Sequence, residues 1–472
     1  MRAPIRPPKP VPRPDRVSLL HYLRLFRRDI LSAQPARLYH AWMAEFRTPF
    51  FRSFLCNDPE LVNRVLKEAP ADFPKSDRLG EGLRPLLGNS VFLTNGATWE
   101  RQRRIINPAF EGGRLHETFP AMCEAGRACV ARLRARADGT PLDIEPETSH
   151  VAADVIFRTL FSLPIEDETA AATFREFQAH QRAQPILNLG AFLPLPQWFP
   201  RFHSRRTRKT ARRIRALISG LTARRAAEIA AGTAPDDLAT KIMTTPDPDT
   251  GIGFDTAEMI DQVAIFFLAG HETSASALAW SLYLLALSPE WQERVAAEAA
   301  VLDDRTRTDF AVLGQLRSSR AVFREALRLY PPVPMMVRES RCPVKFRDRD
   351  VRAGDQVVLS PWHLHRHDRL WTDPDLFDPS RWDSAAGRES ARAAYIPFSA
   401  GPRVCPGAGF AMAEGPLLLS MLVRAFRIGT VTGHDPVPAA HLTVRSANGI
   451  WLQLTPRDPT PGDPVRPATE ER

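Results

Sequence analysis

The sequence lacks several features that would place it in a specialised class of protein. No uninterrupted apolar run approaches the roughly 18 to 20 residues that a membrane-spanning helix needs, and the N-terminus has no short apolar core of a signal peptide. The five cysteines are an odd number and form no CxxC pair, which argues against a disulfide framework and against a cysteine zinc site. We therefore expect a cytoplasmic protein without a transmembrane segment, in which one cysteine has a special role and the others pack.

The charge is unevenly distributed along a chain of otherwise ordinary composition. Hydrophobic residues make up 44% and charged residues 25% of the 472 residues, which argues against disorder and against a membrane-embedded protein. The net charge is +9, and residues 201–227 hold ten basic residues and no acidic one. Such a run fits nucleic acid, an anionic membrane or a solvated helix. No zinc-finger or RNA-recognition motif accompanies it, so we expect no nucleic-acid binding.

Residues 17–455 are predicted to form one large domain, mainly α with a minor β-sheet region. The proline-rich tails 1–16 and 456–472 have too little apolar surface to fold alone and are predicted to be disordered. Helical periodicity is clearest in six segments: 60–67, 122–136, 255–287, 289–301, 317–330 and 408–426. Strands are predicted at 50–55 and, as two runs around a turn at 353–355, at 344–359.

Cys405 stands at a turn before a helical stretch, in the segment FSAGPRVCPG that begins at Phe398. Unpaired amides and the positive end of the helix dipole lower the pKa of a thiol at this position, and the resulting thiolate can bind haem iron. Gly401 and Gly407 would let the backbone approach a flat cofactor, and Arg403 could pair with a carboxylate at the edge of that cofactor. A lone cysteine is usually structural, so the spacing of the whole segment matters more than Cys405 alone.

A second motif, AGHETS, begins at Ala269 within a long apolar helix. The Thr273 hydroxyl can bond to a carbonyl one turn earlier and open the helix locally, while Gly270 leaves space for a small molecule. In isolation, a back-bonded threonine and a glutamate, Glu272, that ends an apolar stripe are the plainer interpretation.

Three further patterns are weak by themselves. Glu325 and Arg328 have the i, i+3 spacing of a commonplace surface ion pair. Trp99 and Arg103 are four residues apart, which aims two donors at one anion but is equally typical of an amphipathic surface helix. The alternating histidines of the segment WHLHRH, which begins at residue 362, follow an extended run and a proline, so we expect no metal there.

Taken together, these segments resemble the cytochrome P450 family over about residues 50–454. The cysteine segment fills every fixed position of F-x-x-G-x-R-x-C-x-G, and residues 269–273 match A/G-G-x-E/D-T. Residues 325–328 match ExxR, residues 379–382 match P-x-R-W/F, and residues 99–103 match W-x-x-x-R. The resemblance implies the P450 fold, with a long central helix over haem b (iron protoporphyrin IX).

The resemblance also implies roles for individual residues. Cys405 would be the iron ligand, Glu272 and Thr273 would supply protons during oxygen activation, and Glu325, Arg328 and Arg381 would form a buried scaffold. The other cofactor contacts would be Trp99, Arg103, Arg338, Phe398, Arg403 and Gly407. The substrate pocket would be lined by Ile260, Val263, Ala264, Phe267, Ala269, Gly270, Val333, Met335 and Met336.

The implied reaction inserts one oxygen atom of O2 into a lipophilic small molecule, with fatty acids, terpenoids and steroids all open. Electrons would come from NAD(P)H through a separate ferredoxin or flavodoxin, for which Arg101, Arg104 and Arg403 suit an acidic partner. Alternatives are the same fold with peroxide-driven or redox-neutral chemistry, and a haem-binding sensor without turnover. The apolar segment 186–199 beside the basic run suggests a possible peripheral membrane contact.

Overall fold

The computed structural model describes residues 4–47, 52–111, 113–183, 204–302 and 309–457, and helices dominate it. The α-helices in this part of the chain are α1 Leu19–Arg28, α2 Pro59–Asn63, α3 Asp77–Leu87, α4 Gly96–Ile106, α5 Arg114–Arg134, α6 Glu145–Phe161, α7 Glu168–Ala183, α8 Arg205–Ala230, α9 Leu238–Thr244, α10 Thr256–Leu287, α11 Pro289–Glu298, α12 Arg317–Leu329, α13 Pro361–Leu364, α14 Ala385–Ala394 and α15 Ala408–Ala425. Short 3-10 turns lie at Ala36–Tyr39, Asn107–Ala109, Ala299–Val301, Phe310–Gly314, Pro379–Asp383 and Gly401–Arg403, and a π turn lies at Arg64–Glu68.

The strands are short and form small sheets beside the helices. They are β1 Met43–Arg47, β2 Arg52–Cys56, β3 Pro141–Asp143, β4 Met336–Glu339, β5 Val344–Phe346, β6 Arg349–Val351, β7 Gln356–Leu359, β8 Phe426–Thr430, β9 Pro438–Ala440, β10 Val444–Ser446 and β11 Trp451–Pro456. One sheet has the order β1-β2-β7-β4 and another the order β3-β11-β8, while β5-β6 and β9-β10 are two-stranded. The predicted class, mainly α with a minor sheet region, is confirmed.

Helix α10 is the central element of the core. It starts at a capping box in which Asp255 Oδ1 accepts from the Glu258 amide at 2.8 Å and Glu258 Oε2 accepts from the Asp255 amide at 3.1 Å. Helices α6, α8, α12 and α15 pack around it, and most of its side chains are buried. A helix that is apolar on nearly all sides has to be surrounded by other elements. Helix α10 is therefore the element on which the neighbouring helices pack.

The segment 344–359 differs from its prediction. The turn is present, with Gly354 at φ 84°, but β5 and β6 pair with each other and β7 does not pair with β6. Instead β7 lies parallel to β2 and antiparallel to β4. A second turn at Arg347, with φ 53°, separates β5 from β6. Local alternation predicted extended chain here and could not identify a partner strand such as β2, in which Ser53 pairs with Gln356.

The N-terminal segment 4–16 also differs from its prediction, because it packs on the domain. The carbonyl oxygen of Ile5 accepts from the Phe377 amide at 3.0 Å, and that of Pro8 accepts from the Tyr330 hydroxyl at 2.7 Å. Prolines lack an N–H but keep a free carbonyl, so an extended proline-rich chain can bind to donors on another surface. The C-terminal tail lies outside the described residues from 458 onward.

Among the described helices, one has the length and hydropathy that could span a bilayer. It is α15, and 67% of its 18 residues are buried within the protein. The helix itself was predicted, but its high mean hydropathy was not noticed in the sequence because Glu414 and Arg424 interrupt the apolar run. Its burial identifies it as a core helix of this fold.

Candidate active site

The loop that carries Cys405 is a tight turn leading into α15. The Cys405 amide donates to the Phe398 carbonyl at 2.9 Å, which closes the turn. Gly401 has φ 68°, and a Cβ there would lie 2.0 Å from the carbonyl oxygen of Leu66, so only glycine fits. At Gly407 the nearest atom to an added Cβ would be Cys405 Sγ at 3.9 Å, which leaves that side of the backbone open.

The Cys405 thiol differs from the expectation of a lowered pKa. Its side chain has accessible surface but is densely surrounded by protein. Burial raises the pKa of the Cys405 thiol, and this effect exceeds the opposing effects of the Gly407 amide and the Arg103 charge. The start of the helix therefore does not by itself lower the pKa of this thiol.

Four basic side chains converge beside this loop. Arg103 of α4 donates to the Val404 carbonyl at 3.0 Å, and Arg403 donates to the Pro70 carbonyl at 2.7 Å. Arg338 of β4 is 7% exposed. Lys75 donates to the Val91 carbonyl at 2.6 Å, and burial followed by the nearby charges of Arg338, Arg403 and Arg103 lowers the pKa of Lys75 to about 6.

These four basic side chains have no acidic partner in the described part of the chain. None of the four forms an ion pair with a carboxylate there, and the Nε atoms of Arg103, Arg338 and Arg403 are buried without a hydrogen-bond partner. Trp99 lies among them, with the Arg403 guanidinium 5.3 Å and Lys75 Nζ 5.8 Å from its ring centroid. Converging unpaired cations are costly, so this cluster is built for anionic groups that it does not itself contain. Lys75 was missed in the sequence because it belongs to no motif.

The middle of α10 presents one narrow stripe with accessible surface. Ala269 is exposed, and Phe266 and Thr273 are partly exposed, at the i, i+3 and i+7 spacing of one helix face. Thr273 Oγ1 donates to the Ala269 carbonyl at 2.5 Å. This is the predicted back-bond, although the helix stays continuous through it.

Part of the predicted substrate pocket instead lies in the packed core. Val263, Ala264 and Phe267 are at most 1% exposed, and the Phe267 ring packs 4.2 Å from that of Phe157. A Cβ on Gly270 would lie 2.3 Å from Cδ1 of Ile156 in α6, so this glycine allows helix packing rather than space for a ligand. The remaining predicted residues keep accessible surface: Ile260, Ala269, Val333, Met335 and Met336.

Glu272 lies about 100° around the helix from Thr273, and its carboxylate turns towards β10. Its Oε1 accepts from the Thr443 hydroxyl at 2.7 Å and lies 3.6 Å from Arg445 Nε. Its Oε2 is buried and has no hydrogen-bond partner among the described residues. The side chains of Glu272 and Thr273 therefore do not form a hydrogen bond with each other in this structure.

A second acid and alcohol join α10 to α15. Ser274 Oγ donates to Glu414 Oε2 at 2.9 Å, and Glu414 Oε1 is buried without a described partner. Burial raises the pKa of Glu414 from 4.5 to about 8, so this carboxyl is protonated at neutral pH. The only signal in the sequence is a single acid in an apolar helix, nine residues after Cys405.

Glu414 predicts a particular pH dependence of stability. Its pKa is higher in the folded than in the unfolded protein, so folding binds a proton between about pH 4.5 and 8, and stability falls as pH rises through this window. The slope approaches about 1.4 kcal/mol per pH unit from this group. We expect Glu414→Gln, which cannot ionise, to flatten the fall, as measured by the thermal midpoint from pH 5 to 9. A variant with the wild-type pH profile would contradict the assignment.

Glu325, Arg328 and Arg381 form one buried network. Arg328 donates to Glu325 through Nε at 3.0 Å and Nη2 at 2.8 Å, and Arg381 Nε donates to Glu325 Oε1 at 2.9 Å. The remaining Arg328 protons bind the carbonyls of His365, Pro374 and Leu376. The amide of Ile396 donates to His365 Nε2 at 2.9 Å, which extends the network towards the cysteine loop.

Comparison with known proteins gives a consistent result. The cytochrome P450 family profile matches residues 41–452. The chain belongs to the cytochrome P450 family. It is 32% identical to cyclooctat-9-en-7-ol 5-monooxygenase of Streptomyces melanosporofaciens, over 92% of this chain and 94% of that protein, and 30% identical to cyclooctatin synthase of the same organism, over 90% and 91%. The crystal structure of a cytochrome P450DA mutant heme domain has the same fold, with a TM-score of 0.79 at 24% identity over 97% of this chain and 99% of that one.

This P450 is an oxidoreductase of the monooxygenase class, and its family implies a haem. The residues present fit one. The accessible Cys405 sulfur suits iron, the open side of Gly407 suits a flat ring, and the unpaired cations around Trp99 suit two propionates.

The structure also shows the surroundings of two arginines and of the three histidines of the 362–367 segment. Arg101 pairs with Glu258 at 2.6 Å and Arg104 with Asp247 at 2.6 Å, so both arginines already have a carboxylate partner within the protein. The three histidines of the 362–367 segment each have a separate polar or ring contact: Ser360 for His363, the Ile396 amide for His365 and the Trp42 ring for His367. Among the described residues, no group of three or more His, Cys, Asp or Glu side chains could hold a metal ion.

A cavity of about 620 Å³ lies between α3, α4 and the start of α10 in the described part of the P450. Its walls are mainly polar and include Lys75, Asn95, Gln102 and Glu258. They do not include Ala269 or Thr273, so this cavity is separate from the exposed stripe of α10.

Proposed function

We propose that this P450 inserts one oxygen atom of O2 into a lipophilic small molecule, with electrons passed from NAD(P)H by a separate ferredoxin or flavodoxin. The observation that supports this most strongly is the accessible Cys405 beside the cluster of unpaired cations. Cys405 offers a sulfur ligand for the iron, and the cluster offers partners for the two propionates of a haem.

In this proposal Cys405 holds the iron, and Phe398 and Gly407 border the ring. Trp99 and the cluster of Arg103, Arg338, Arg403 and Lys75 would hold the propionates. Once bound, the haem supplies oxygen activation, which thiolate ligation favours. The protein's own contribution is to orient the substrate, exclude water and move protons.

Thr273 is the side chain that presents a hydroxyl on the exposed stripe of α10. Its hydroxyl proton is donated to the Ala269 carbonyl, so the lone pairs of its oxygen are left to accept a hydrogen bond from a water or an acid. Glu272 supplies the acid, after its carboxyl has turned away from Thr443. Glu325, Arg328 and Arg381 act only as scaffold.

Thr273→Ala is expected to keep the haem and the fold but to divert electrons from product to hydrogen peroxide. A positioned proton donor contributes about 10²–10⁴-fold, so the product formed per NAD(P)H consumed should fall at least tenfold. Product and peroxide are measured together with a ferredoxin and its reductase. Thr273→Ser keeps the hydroxyl and should retain most of the yield. An unchanged yield in Thr273→Ala would remove this residue from proton delivery.

The substrate class within lipophilic molecules is best approached through the relatives. One relative is named for cyclooctat-9-en-7-ol, and an 11-oxo-beta-amyrin 30-oxidase of Glycyrrhiza uralensis is 28% identical over 85% of this chain. With the accessible side chains Phe266, Ala269 and Met335 offering an apolar wall, we infer a polycyclic terpenoid rather than a fatty acid. Spin-state titration with cyclooctat-9-en-7-ol and with lauric acid tests this choice, and a response to lauric acid alone would reverse it.

We further infer a cytoplasmic location, with contact to an anionic membrane restricted to the basic half of α8. Arg205, Lys209 and Arg212 are exposed there, whereas the apolar segment 186–199 lies outside the described residues. Sedimentation with phosphatidylglycerol vesicles but not with phosphatidylcholine vesicles would support the contact.

A further inference from the structure

Two side chains of α10 hold the loop that connects α3 to α4. This loop, residues 88–92, contains only turns. The Asn89 amide donates to Asp261 Oδ2 at 2.7 Å, and the Val91 amide donates to Gln262 Oε1 at 2.9 Å. Since backbone groups without a regular partner must be satisfied in another way, these side chains set the place of the loop.

The carboxylate of Asp261 also binds α8. Its Oδ1 accepts from Arg215 Nη1 at 2.6 Å, and the same nitrogen donates to the Leu86 carbonyl in the last turn of α3 at 3.0 Å. A cation is favourable there, because the last carbonyls of a helix have no partner within it. Asp261 is 8% exposed. One buried carboxylate therefore connects α8, α10 and the loop, and it makes the positions of α8 and the loop depend on each other.

Gly88 shows how closely the loop approaches this carboxylate. Its φ is 51°, and a Cβ there would lie 2.1 Å from Asp261 Oδ1. A side chain at this position would displace the carboxylate or the loop, in addition to straining the backbone. The contact between the loop and Asp261 therefore depends on glycine.

The loop lies at one end of the exposed stripe of α10. Gln262 is one turn before Phe266 on the same helix face, and it is fully buried where Val91 binds it. Phe92, the next residue of the loop, is 39% exposed. A shift of the loop would therefore change the apolar surface beside Phe266 and Ala269.

We propose that Arg215 and Asp261 are positioning residues, whose ion pair fixes the loop against α10 and so fixes one wall of the site before a substrate arrives. Neither residue touches the substrate or moves a proton in this proposal. A wall that is already in place costs less conformational entropy when a ligand binds, so the pair acts on affinity rather than on the chemical step. The effect on the substrate rests on the proposed function, whereas the effect on the loop does not.

Hydrogen exchange of the haem-bound protein tests the loop. In Arg215→Met the amides of Asn89 and Val91 should exchange roughly tenfold faster than in the wild type, because the carboxylate that holds the loop has lost its partner. Arg215→Lys keeps the charge and should restore most of the protection. Arg225→Met is the matched control, since Arg225 is another arginine of α8 and pairs with the buried Asp237 at the start of α9. It should leave both amides protected.

A second set of variants tests the contact without removing Arg215. Gly88→Ala places a Cβ against the carboxylate, so it should lower the thermal midpoint of the wild type more than that of Asp261→Ala, in which the carboxylate is gone. Equal shifts in the two backgrounds would show that the loop does not rest on Asp261, and they would overturn the proposal.

Substrate binding separates a positioning role from a merely structural one. With cyclooctat-9-en-7-ol as the probe, Arg215→Met should raise the dissociation constant from spin-state titration roughly tenfold, and KM in parallel, while kcat stays nearly unchanged. A merely structural role would lower the yield of folded protein in Arg215→Met and Arg225→Met alike, without a change in affinity. Unchanged affinity or unchanged amide exchange in Arg215→Met would overturn the proposal. If the wild type binds neither this terpenoid nor lauric acid, the proposed substrate class fails instead, and the exchange rates still decide whether the ion pair holds the loop.

Discussion

Cys405→Ser is expected to abolish the strongly red-shifted Soret band that the dithionite-reduced protein gives with carbon monoxide, and with it all monooxygenase turnover. A serine hydroxyl is a hard, weakly donating ligand that cannot replace a thiolate on haem iron. The loop itself should persist, because it is closed by the backbone bond between Cys405 and Phe398 and by the close packing of Gly401 on Leu66. The loss would therefore be one of ligation rather than of fold.

Cys342→Ser is the control, since Cys342 is also accessible but lies outside the loop. It should leave both the spectrum and the turnover unchanged. A red-shifted band that survives in Cys405→Ser, or that disappears in Cys342→Ser, would contradict the assignment of the ligand. Circular dichroism of each variant separates a change of ligand from a loss of structure.

The elements that the sequence predicted well are those whose information is local. The helical pattern of residues 255–287 agrees with helix α10, Thr256–Leu287, within one residue at its start. The cysteine loop was predicted because its glycines, its arginine and its cysteine are adjacent in the chain. Local chemistry of this kind needs no partner from elsewhere to be recognised.

Predictions that depended on distant partners were less accurate. Val263 and Phe267 are apolar residues of α10, and nothing in the sequence shows that Val263 is buried or that Phe267 packs on α6 and α7 rather than lining a pocket. The exposed stripe carries Phe266, Ala269 and Thr273. A helix that is apolar on nearly all sides has no periodic pattern from which the open face could be chosen.

The contacts of charged residues, and the docking of the N-terminal segment, also depend on partners that are distant in the chain. Thr443 is 171 residues from Glu272, and the four cations of the cluster come from separate elements, so neither arrangement follows from spacing. Residues 4–16 lack a core of their own, but they bind to donors that the folded domain already presents. Composition predicts whether a segment folds alone, and it does not predict whether the segment docks.

Glu325→Ala is expected to prevent accumulation of folded, haem-bound protein. The substitution leaves Arg328, which is fully buried, and Arg381, which is 7% exposed, without their shared carboxylate. Breaking a buried ion pair in this way costs about 3–5 kcal/mol, a large part of the stability of an ordinary protein. The Asp378 amide, which donates to Glu325 Oε1 at 3.1 Å, also loses its acceptor. The measurements are the yield of haem-bound protein and its thermal midpoint.

A graded series distinguishes this network from an ordinary ion pair. Arg381→Met leaves the contact between Glu325 and Arg328 intact and should cause an intermediate loss. Glu290→Ala removes one partner of an exposed i, i+4 pair with Arg294, in which both side chains are more than half exposed, and should change stability by about 0–1 kcal/mol. If Glu325→Ala were as mild as Glu290→Ala, the network would not support the cysteine loop. The predicted order follows from burial, because the same charges are cheap to separate in water and costly to leave unpaired inside the protein.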